Sequence, residues 1–306
     1  MTAVNPHVAL SLEVAGTLAA GRPVVALETT IVSHGMPWPD NLETALAVET
    51  VVRQAGATPA AIAVMDGKIR VGLTRAELER LAQAKDVLKL SSADIGYGLA
   101  CGRTGATTVA ATLIAADLAG IRVFATGGIG GVHRGAGDSF DVSADLTELS
   151  RTPVTVVSAG AKALLDLPKT LEMLETLGVP VVSYRSDAFP AFWSRDSGLP
   201  APIRLDDPAA IAGFIETRAE LGQTGGMLVA NPVPEADEIP VAEMAPVIEA
   251  AVAEAAAQGI AGKAVTPFLL DAIFRITRGR SLTTNIALVK NNARLAAAIA
   301  VRLAKA

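Results

Sequence analysis

The sequence predicts an α/β fold, with helices layered on a mixed, largely parallel sheet. Three observations lead there. Short β-rich runs alternate with helical stretches from one end of the 306-residue chain to the other, the pattern left by strand, crossover and strand units. A turn signal, Asp66-Gly67, joins two apolar runs directly and so demands one antiparallel pair within that sheet. No Pro/Gly/Ser linker, charge block or repeat of fixed period divides the chain, so residues 1–306 read as a single domain.

Taken in order, residues 24–27 form the first candidate strand, and Glu28 stands at its carboxyl end. Residues 60–65 and the run Lys68-Ile69-Arg70-Val71 flank Asp66-Gly67, a pair that takes the positive φ angles of a two-residue hairpin. Thr74-Arg75-Ala76-Glu77 is a capping box ahead of Leu78 and Leu81, so a helix starts there. Further strands are expected at 87–90, 121–125, 154–158, 179–183 and 226–230. Residues 187–202, rich in proline and aromatics, predict a long loop of the kind that serves as a lid or binding segment. Asp206-Asp207-Pro208 places acidic residues and a proline at the start of a helix running through Leu221. From Pro240 onward the chain reads as almost wholly helical, with Ala-rich faces at 247–257 and 295–304 that permit close packing.

Composition bounds the function. The chain is 51% hydrophobic, 19% charged and only 4% aromatic, so Ala, Val, Leu and Ile must fill the core and intrinsic disorder is excluded. The mean hydropathy of +0.42 raises the question of a membrane. Every long apolar run is interrupted before about 18 residues, the minimum for a spanning helix; the stretch 107–124 carries Asp117 and Arg122. The N-terminus has no cationic region and places Asn5 and Pro6 where a signal peptide would be apolar. A single cysteine, Cys101, rules out an internal disulfide and a cysteine-based zinc cluster. A cytoplasmic protein is the expectation. With 26 basic against 31 acidic side chains, a formal charge of −5, and no basic run, a nucleic-acid partner is not expected. The aliphatic excess points instead to a buried subunit interface.

Residues 124–135, Phe-Ala-Thr-Gly-Gly-Ile-Gly-Gly-Val-His-Arg-Gly, follow a strand and hold five glycines. Backbone N–H groups freed of side chains wrap an anion, with His133 and Arg134 adding donors; the alternative is a flexible connection. The spacing matches neither the dinucleotide fingerprint nor a P-loop. Next come Asp138, Asp141 and Asp145 with Ser139 and Ser143, oxygen ligands suited to a hard divalent cation, although Ser143 or Asp141 serves equally as a helix cap. Lys162 stands just past a strand end in apolar company. An amine ordinarily titrates near about 10.4, and burial or a neighbouring cation lowers that value and frees the lone pair for attack; a lysine snorkelling over an apolar face looks the same. Glu28, at the carboxyl end of a strand where α/β sheets gather ligands, suits general acid/base work or a structural ion pair. Lys89 precedes Ser91-Ser92, a phosphate grip.

Together these segments resemble the pseudouridine-5′-phosphate glycosidase family, also described as indigoidine synthase A-like. The resemblance is carried by Ala26-Leu27-Glu28-Thr29-Thr30 with His34-Gly35-Met36-Pro37, Lys89 before Ser91, residues 107–112, the loop 127–135, residues 140–146, Ala159-Gly160-Ala161-Lys162, Asn231-Pro232-Val233-Pro234 and residues 284–293. It spans nearly the whole chain in family order. It implies a three-layer α/β/α sandwich, a homotrimer, a divalent metal, usually manganese, and reversible cleavage of pseudouridine 5′-phosphate to uracil and ribose 5-phosphate. By motif position Glu28 is implied as proton donor, Lys162 as nucleophile and Asp141 as metal ligand. Lys89, Val109, Ser143, Ala144 and Asp145 are implied as substrate contacts, with Thr126, His133 and Asn285 around the base or sugar. The trimer would give the aliphatic excess, and the Ala-rich helices after Pro240, a destination. Gly105-Ala106 departs from the family pattern, which has two glycines there.

The implied chemistry suits the residues. Ordinary glycosidases use two carboxylates because protonating the leaving heteroatom makes it depart. Here the leaving atom is carbon C5 of uracil, so acid catalysis alone does not suffice and an amine that adds to the sugar does. Two other readings share parts of the same residue set. A Schiff-base aldolase or isomerase acting on sugar phosphates would use Lys162 and the glycine loop; a nucleotide-binding accessory protein would bind without turnover.

Overall fold

The computed structural model describes residues 5–260 and 265–305. Residues 1–4, part of the N-terminal reading, and 261–264, within the helical last quarter, lie outside the described residues. In chain order the elements are β1 (Val8–Leu10), α1 (Leu12–Ala19), β2 (Val24–Leu27), α2 (Thr30–His34), α3 (Asp40–Gln54), β3 (Thr58–Met65), β4 (Lys68–Val71), α4 (Arg75–Gln83), β5 (Leu88–Leu90), α5 (Ile95–Ala100), β6 (Gly105–Thr107) and α6 (Val109–Ala119). Then come β7 (Val123–Ala125), α7 (Ala136–Ser139), α8 (Ala144–Arg151), β8 (Thr155–Ser158), α9 (Leu167–Thr176), β9 (Val181–Tyr184), β10 (Ile203–Leu205), α10 (Pro208–Glu220), β11 (Met227–Ala230), α11 (Val241–Ala257), α12 (Val265–Ile276) and α13 (Arg280–Leu303).

The sheet is mixed and mostly parallel, in the order β1-β4-β3-β2-β7-β8-β11-β9-β10, with β6 on β3 and β5 on β6. Its antiparallel contacts are β3 with β4 and β3 with β6. The first is the expected hairpin: Met65 pairs with Lys68, and Asp66 and Gly67 take φ of 53° and 70°. Central strands such as β2, β8 and β11 are buried along their whole length, as parallel strands covered on both faces must be. Helices α3, α10 and α13 form one packed layer, with α13 also lying on β2, β7 and β8; α6 and α8 pack together and α6 lies on β1, β2, β4 and β6. The α/β class with a mixed sheet is therefore the observed architecture.

Three strands absent from the sequence reading, β1, β6 and β10, are each three residues long, too short to show a period. Gly105 in β6 has a steric reason: a Cβ there would come within 2.3 Å of the Leu90 side chain. Ala106, the departure from the family pattern, is wholly buried between β3 and β5. The Ala-rich end of α13 faces the chain's own core, where Ala293, Ala296, Ala297, Ile299 and Ala300 are buried. Helix α13 packs against α10 and α3, and these residues are buried within the chain itself, so they are not available as an intersubunit face.

The topology prepares a crevice. β2 and β6 reach β3 from opposite directions, with Leu27 aligned to Ala61 and Ala106 to Ala63. Their carboxyl ends thus meet beside mid-β3, a switch point of the kind where α/β sheets bind ligands. Buried threonines lock the junction: Thr29 and Thr107 each donate a hydroxyl to the Ile62 carbonyl at 2.7 Å, and Thr112 donates to Thr107 at 2.9 Å.

Candidate active site

Over this crevice lies a cavity of about 390 Å³, within the range of small-molecule sites. The end of β2 delivers Glu28, whose carboxylate is gripped on both oxygens: Thr30 donates to Oε2 and Thr126 to Oε1. Helix α2 then carries His34 along the wall. Its Nε2 lies 3.2 Å from the Val87 carbonyl. Burial pushes the imidazole below its ordinary range, Lys89's charge adds to this, and the Val87 hydrogen bond opposes it. The neutral ring facing a carbonyl donates through Nε2, which leaves Nδ1 a buried acceptor with no partner among the described residues.

The glycine loop after β7 is stitched on both sides. Ile129 N–H donates to Gly160 O at 3.1 Å and Lys162 N–H to Ile129 O at 3.1 Å; on the other side Ser143 N–H donates to Gly131 O and His133 N–H to Asp141 O, both at 3.0 Å. It is a fixed wall, so the reading as a flexible connection falls away. Close approach explains three of its five glycines. A Cβ at Gly128 would meet the Phe192 ring at 2.7 Å, one at Gly130 the Ser143 hydroxyl at 2.3 Å, and one at Gly131 the Thr170 hydroxyl at 2.4 Å. From behind, Asn292 of α13 donates to the carbonyls of Thr126 at 2.9 Å and Gly127 at 3.3 Å.

Asp145 locks the same loop to α6. Its Oδ2 accepts Gly130 N–H at 2.7 Å and its Oδ1 accepts Ala110 N–H at 2.9 Å. The carboxylate is 6% exposed and lies at the positive end of α6. First-turn amides of a helix lack acceptors of their own; those of Ala110 and Ala111 are taken by Asp145 and Thr108, leaving that of Val109. Ser143 caps α8, its hydroxyl accepting Asp145 N–H at 3.2 Å. Two helix N-termini, those of α6 and α8, thus border the cavity with Lys89 and Ser91, a setting that favours an anion such as a phosphate.

Lys162 follows β8 and lines the cavity beside Leu165 and Phe192. Among the described residues its side-chain nitrogen has no hydrogen bond or ion pair, so the amine is uncommitted. Asp141, 44% exposed, places Oδ2 3.8 Å from His133 Nδ1. Among the described residues no three of His, Cys, Asp and Glu cluster as a metal cage. That donor set fits a small hard cation held by one carboxylate, water and a substrate phosphate, and it does not fit a structural zinc.

Glu28, Lys89, Val109, His133, Asp141, Ser143, Ala144, Asp145, Lys162 and Asn285 all line this one cavity. Thr126 does not: it is buried behind Glu28 with its hydroxyl on that carboxylate. Asp145 borders the cavity, but both its oxygens are engaged by backbone N–H groups, so it builds the wall. The sequence reading assigned no role to Thr30, Thr108, Phe192, Leu288 or the α12 residues Thr266, Pro267 and Leu270, which also line it. The expected loop at 187–202 supplied the signal for Phe192; the α12 residues carried none.

The profile described as Indigoidine synthase A like protein matches residues 13–302. The chain belongs to this family. Within the indigoidine synthase A-like family it is 65% identical to the pseudouridine-5′-phosphate glycosidase of Paracoccus denitrificans over 98% of this chain and 99% of that one. It is likewise 65% identical to the pseudouridine-5′-phosphate glycosidase of Methylobacterium nodulans, covering 97% and 89%. Two solved structures share the fold. The prealnumycin C-glycosynthase AlnA in complex with ribulose 5-phosphate superimposes with a TM-score of 0.91 at 41% identity, covering 98% of both chains. An indigoidine synthase A-like protein of Thermotoga maritima does so with 0.89 at 37%, covering 99% of both. Both share this chain's α/β fold, a mixed, mostly parallel sheet with helices on both sides, the class expected from the sequence.

Proposed function

We propose that the chain is a pseudouridine-5′-phosphate glycosidase, cleaving the C–C glycosidic bond of pseudouridine 5′-phosphate reversibly to uracil and ribose 5-phosphate. The observation that carries this reading is the meeting, in one cavity, of an uncommitted amine, a threonine-gripped carboxyl and two helix N-termini. Full-length relatives of that name, and a 41%-identical neighbour holding a pentose 5-phosphate, support it.

The phosphate is held by Lys89, Ser143, the Ala144 amide and the Val109 amide, and His133 and Asn285 face the sugar and base. Glu28 gives a proton to the ribose ring oxygen as the C1–O bond opens, with electrons supplied through the conjugated uracil. Lys162 adds its lone pair to C1, forming a C–N bond, and loses a proton. The proton lost by the amine passes to uracil C5, the C1–C5 bond breaks with its electron pair going into the uracil ring as the nitrogen lone pair forms an iminium, and water hydrolyses that iminium to free Lys162 and ribose 5-phosphate with release of one proton. A carboxylate in place of Lys162 would leave an ester at C1, whose oxygen lone pairs are drawn into its own carbonyl and cannot expel uracil as an iminium does, so the amine is required. Asp141, beside His133, would hold a divalent cation, manganese in this reading, whose charge would neutralise the phosphate.

The subunits form a homotrimer in the cytoplasm; among the described residues no helix is long and apolar enough to cross a membrane. Light scattering giving a monomer mass would remove the trimer from this reading. The central test measures uracil release from pseudouridine 5′-phosphate with chelator and with added manganese. Turnover restored by the metal supports the assignment. If uracil is not released under any condition, the assignment fails.

A further inference from the structure

Glu28 faces two spaces. Besides the 390 Å³ substrate cavity it lines a second cavity of about 30 Å³ behind α2, large enough for one or two water molecules. Glu49 of α3 lines that small cavity too, together with Thr44, Thr126 and apolar side chains. The Glu49 carboxyl is partly buried and has no hydrogen bond to a protein group among the described residues. The charged groups that face it are Arg53 of its own helix and Glu13 of α1, which pair with each other, and Glu28 across the cavity.

We infer that Glu49 is a positioning residue for the proton of Glu28, returning it through the small cavity after each turnover. The inference rests on the glycosidase reading above. A carboxyl that gives a proton to the sugar must regain one, and while products fill the large cavity Glu28 is covered in front. The rear cavity is then its other exit. A proton passes from the Glu49 carboxyl to an intervening water and from that water to the Glu28 carboxylate; Glu49, which keeps some exposure, recovers its proton from solvent. The geometry has support from electrostatics: burial raises Glu49 to about 7, against smaller opposing contributions from Arg53, so the group carries a proton near neutral pH. Glu49 does not line the substrate cavity, so the effect belongs in kcat and not in KM.

The experiment compares uracil release from pseudouridine 5′-phosphate by wild type, Glu49→Gln and Glu49→Asp between pH 5.5 and 9, with the fold of each checked by circular dichroism. In wild type, kcat falls as pH rises through about 7. In E49Q that limb disappears and kcat at pH 6 drops at least roughly tenfold, with KM within about twofold; E49D retains the limb at a reduced rate. A purely structural role would lower both variants at every pH alike. An E49Q profile parallel to wild type, or a loss confined to KM, overturns the inference and leaves the glycosidase reading standing. If E49Q does not fold, a pH profile of E49D without the limb has the same overturning force. A wild-type protein that releases no uracil sinks both.

Discussion

Trp193 donates its indole N–H to Oδ1 of Asn285 at 2.7 Å. With its oxygen held, Asn285 offers the cavity its NH₂ group, a donor suited to a uracil carbonyl or a sugar oxygen. The bond also ties the loop 187–202 to α13, and the neighbouring Phe192 lines the cavity. Replacing Asn285 by Asp keeps the acceptor for Trp193 and turns the donor into an anion. Steady-state kinetics of N285D should show KM for pseudouridine 5′-phosphate raised at least about tenfold, near 1.4 kcal/mol. An unchanged KM would place Asn285 away from the substrate.

Lys162 is the group on which the covalent scheme depends. Lys162→Ala should abolish uracil release while ribose 5-phosphate still binds, because the proposed phosphate contacts, Lys89, Ser143 and the Ala144 and Val109 amides, are other groups of the cavity. Incubating wild type with ribose 5-phosphate and borohydride should add one sugar phosphate to Lys162 by mass spectrometry. A wild-type protein that turns over yet gives no adduct would count against the iminium.

Much of this site was legible in the sequence because its parts are contiguous. Glu28, the glycine loop, Asp141 to Asp145 and Lys162 each lie within a few residues of a strand end or helix cap, and turn chemistry places such groups. Ser143 shows why alternatives stayed open: it caps α8 and borders the cavity as well. What could not be read was tertiary. Thr126 looks like any cavity-facing residue until the fold turns its hydroxyl back onto Glu28. Glu49 sits on a helix whose pattern gives no hint that β2 ends behind it. The Ala-rich end of α13 fits a subunit interface and an internal helix layer equally well by composition, and only packing against α10 and α3 decides.

Asp145 satisfies the Gly130 and Ala110 amides at once. Asp145→Ala leaves the buried Ala110 amide and the partly buried Gly130 amide unpaired, at about 1–3 kcal/mol for a fully buried donor, and frees the loop from α6. Urea unfolding should report a loss of roughly 2–4 kcal/mol, accompanied by lower affinity for ribose 5-phosphate. Gly130→Ala should act on the same junction, since the added Cβ would come within 2.6 Å of the Ser143 Cβ and 2.8 Å of Asp145 Oδ2. Wild-type stability in D145A would show that the amides find other partners.

Glu49 gives a stability prediction that does not depend on catalysis. Its carboxyl is raised from 4.5 to about 7, chiefly by burial, so the folded state binds this proton more tightly than the unfolded chain. The contribution is complete below pH 4.5 and is lost as pH rises through about 7. The full shift would correspond to about 3 kcal/mol, and partial exposure reduces the expected size to roughly 1–2 kcal/mol. A neutral side chain of the same shape has no such titration. Urea denaturation at pH 5 and pH 8 should therefore show wild type losing roughly 1–2 kcal/mol more than Glu49→Gln over that interval, with E49Q the more stable of the two at pH 8. Equal losses in the two proteins would mean that the Glu49 carboxylate stays hydrated in the fold, and that burial by β2 and α2 does not hold its proton.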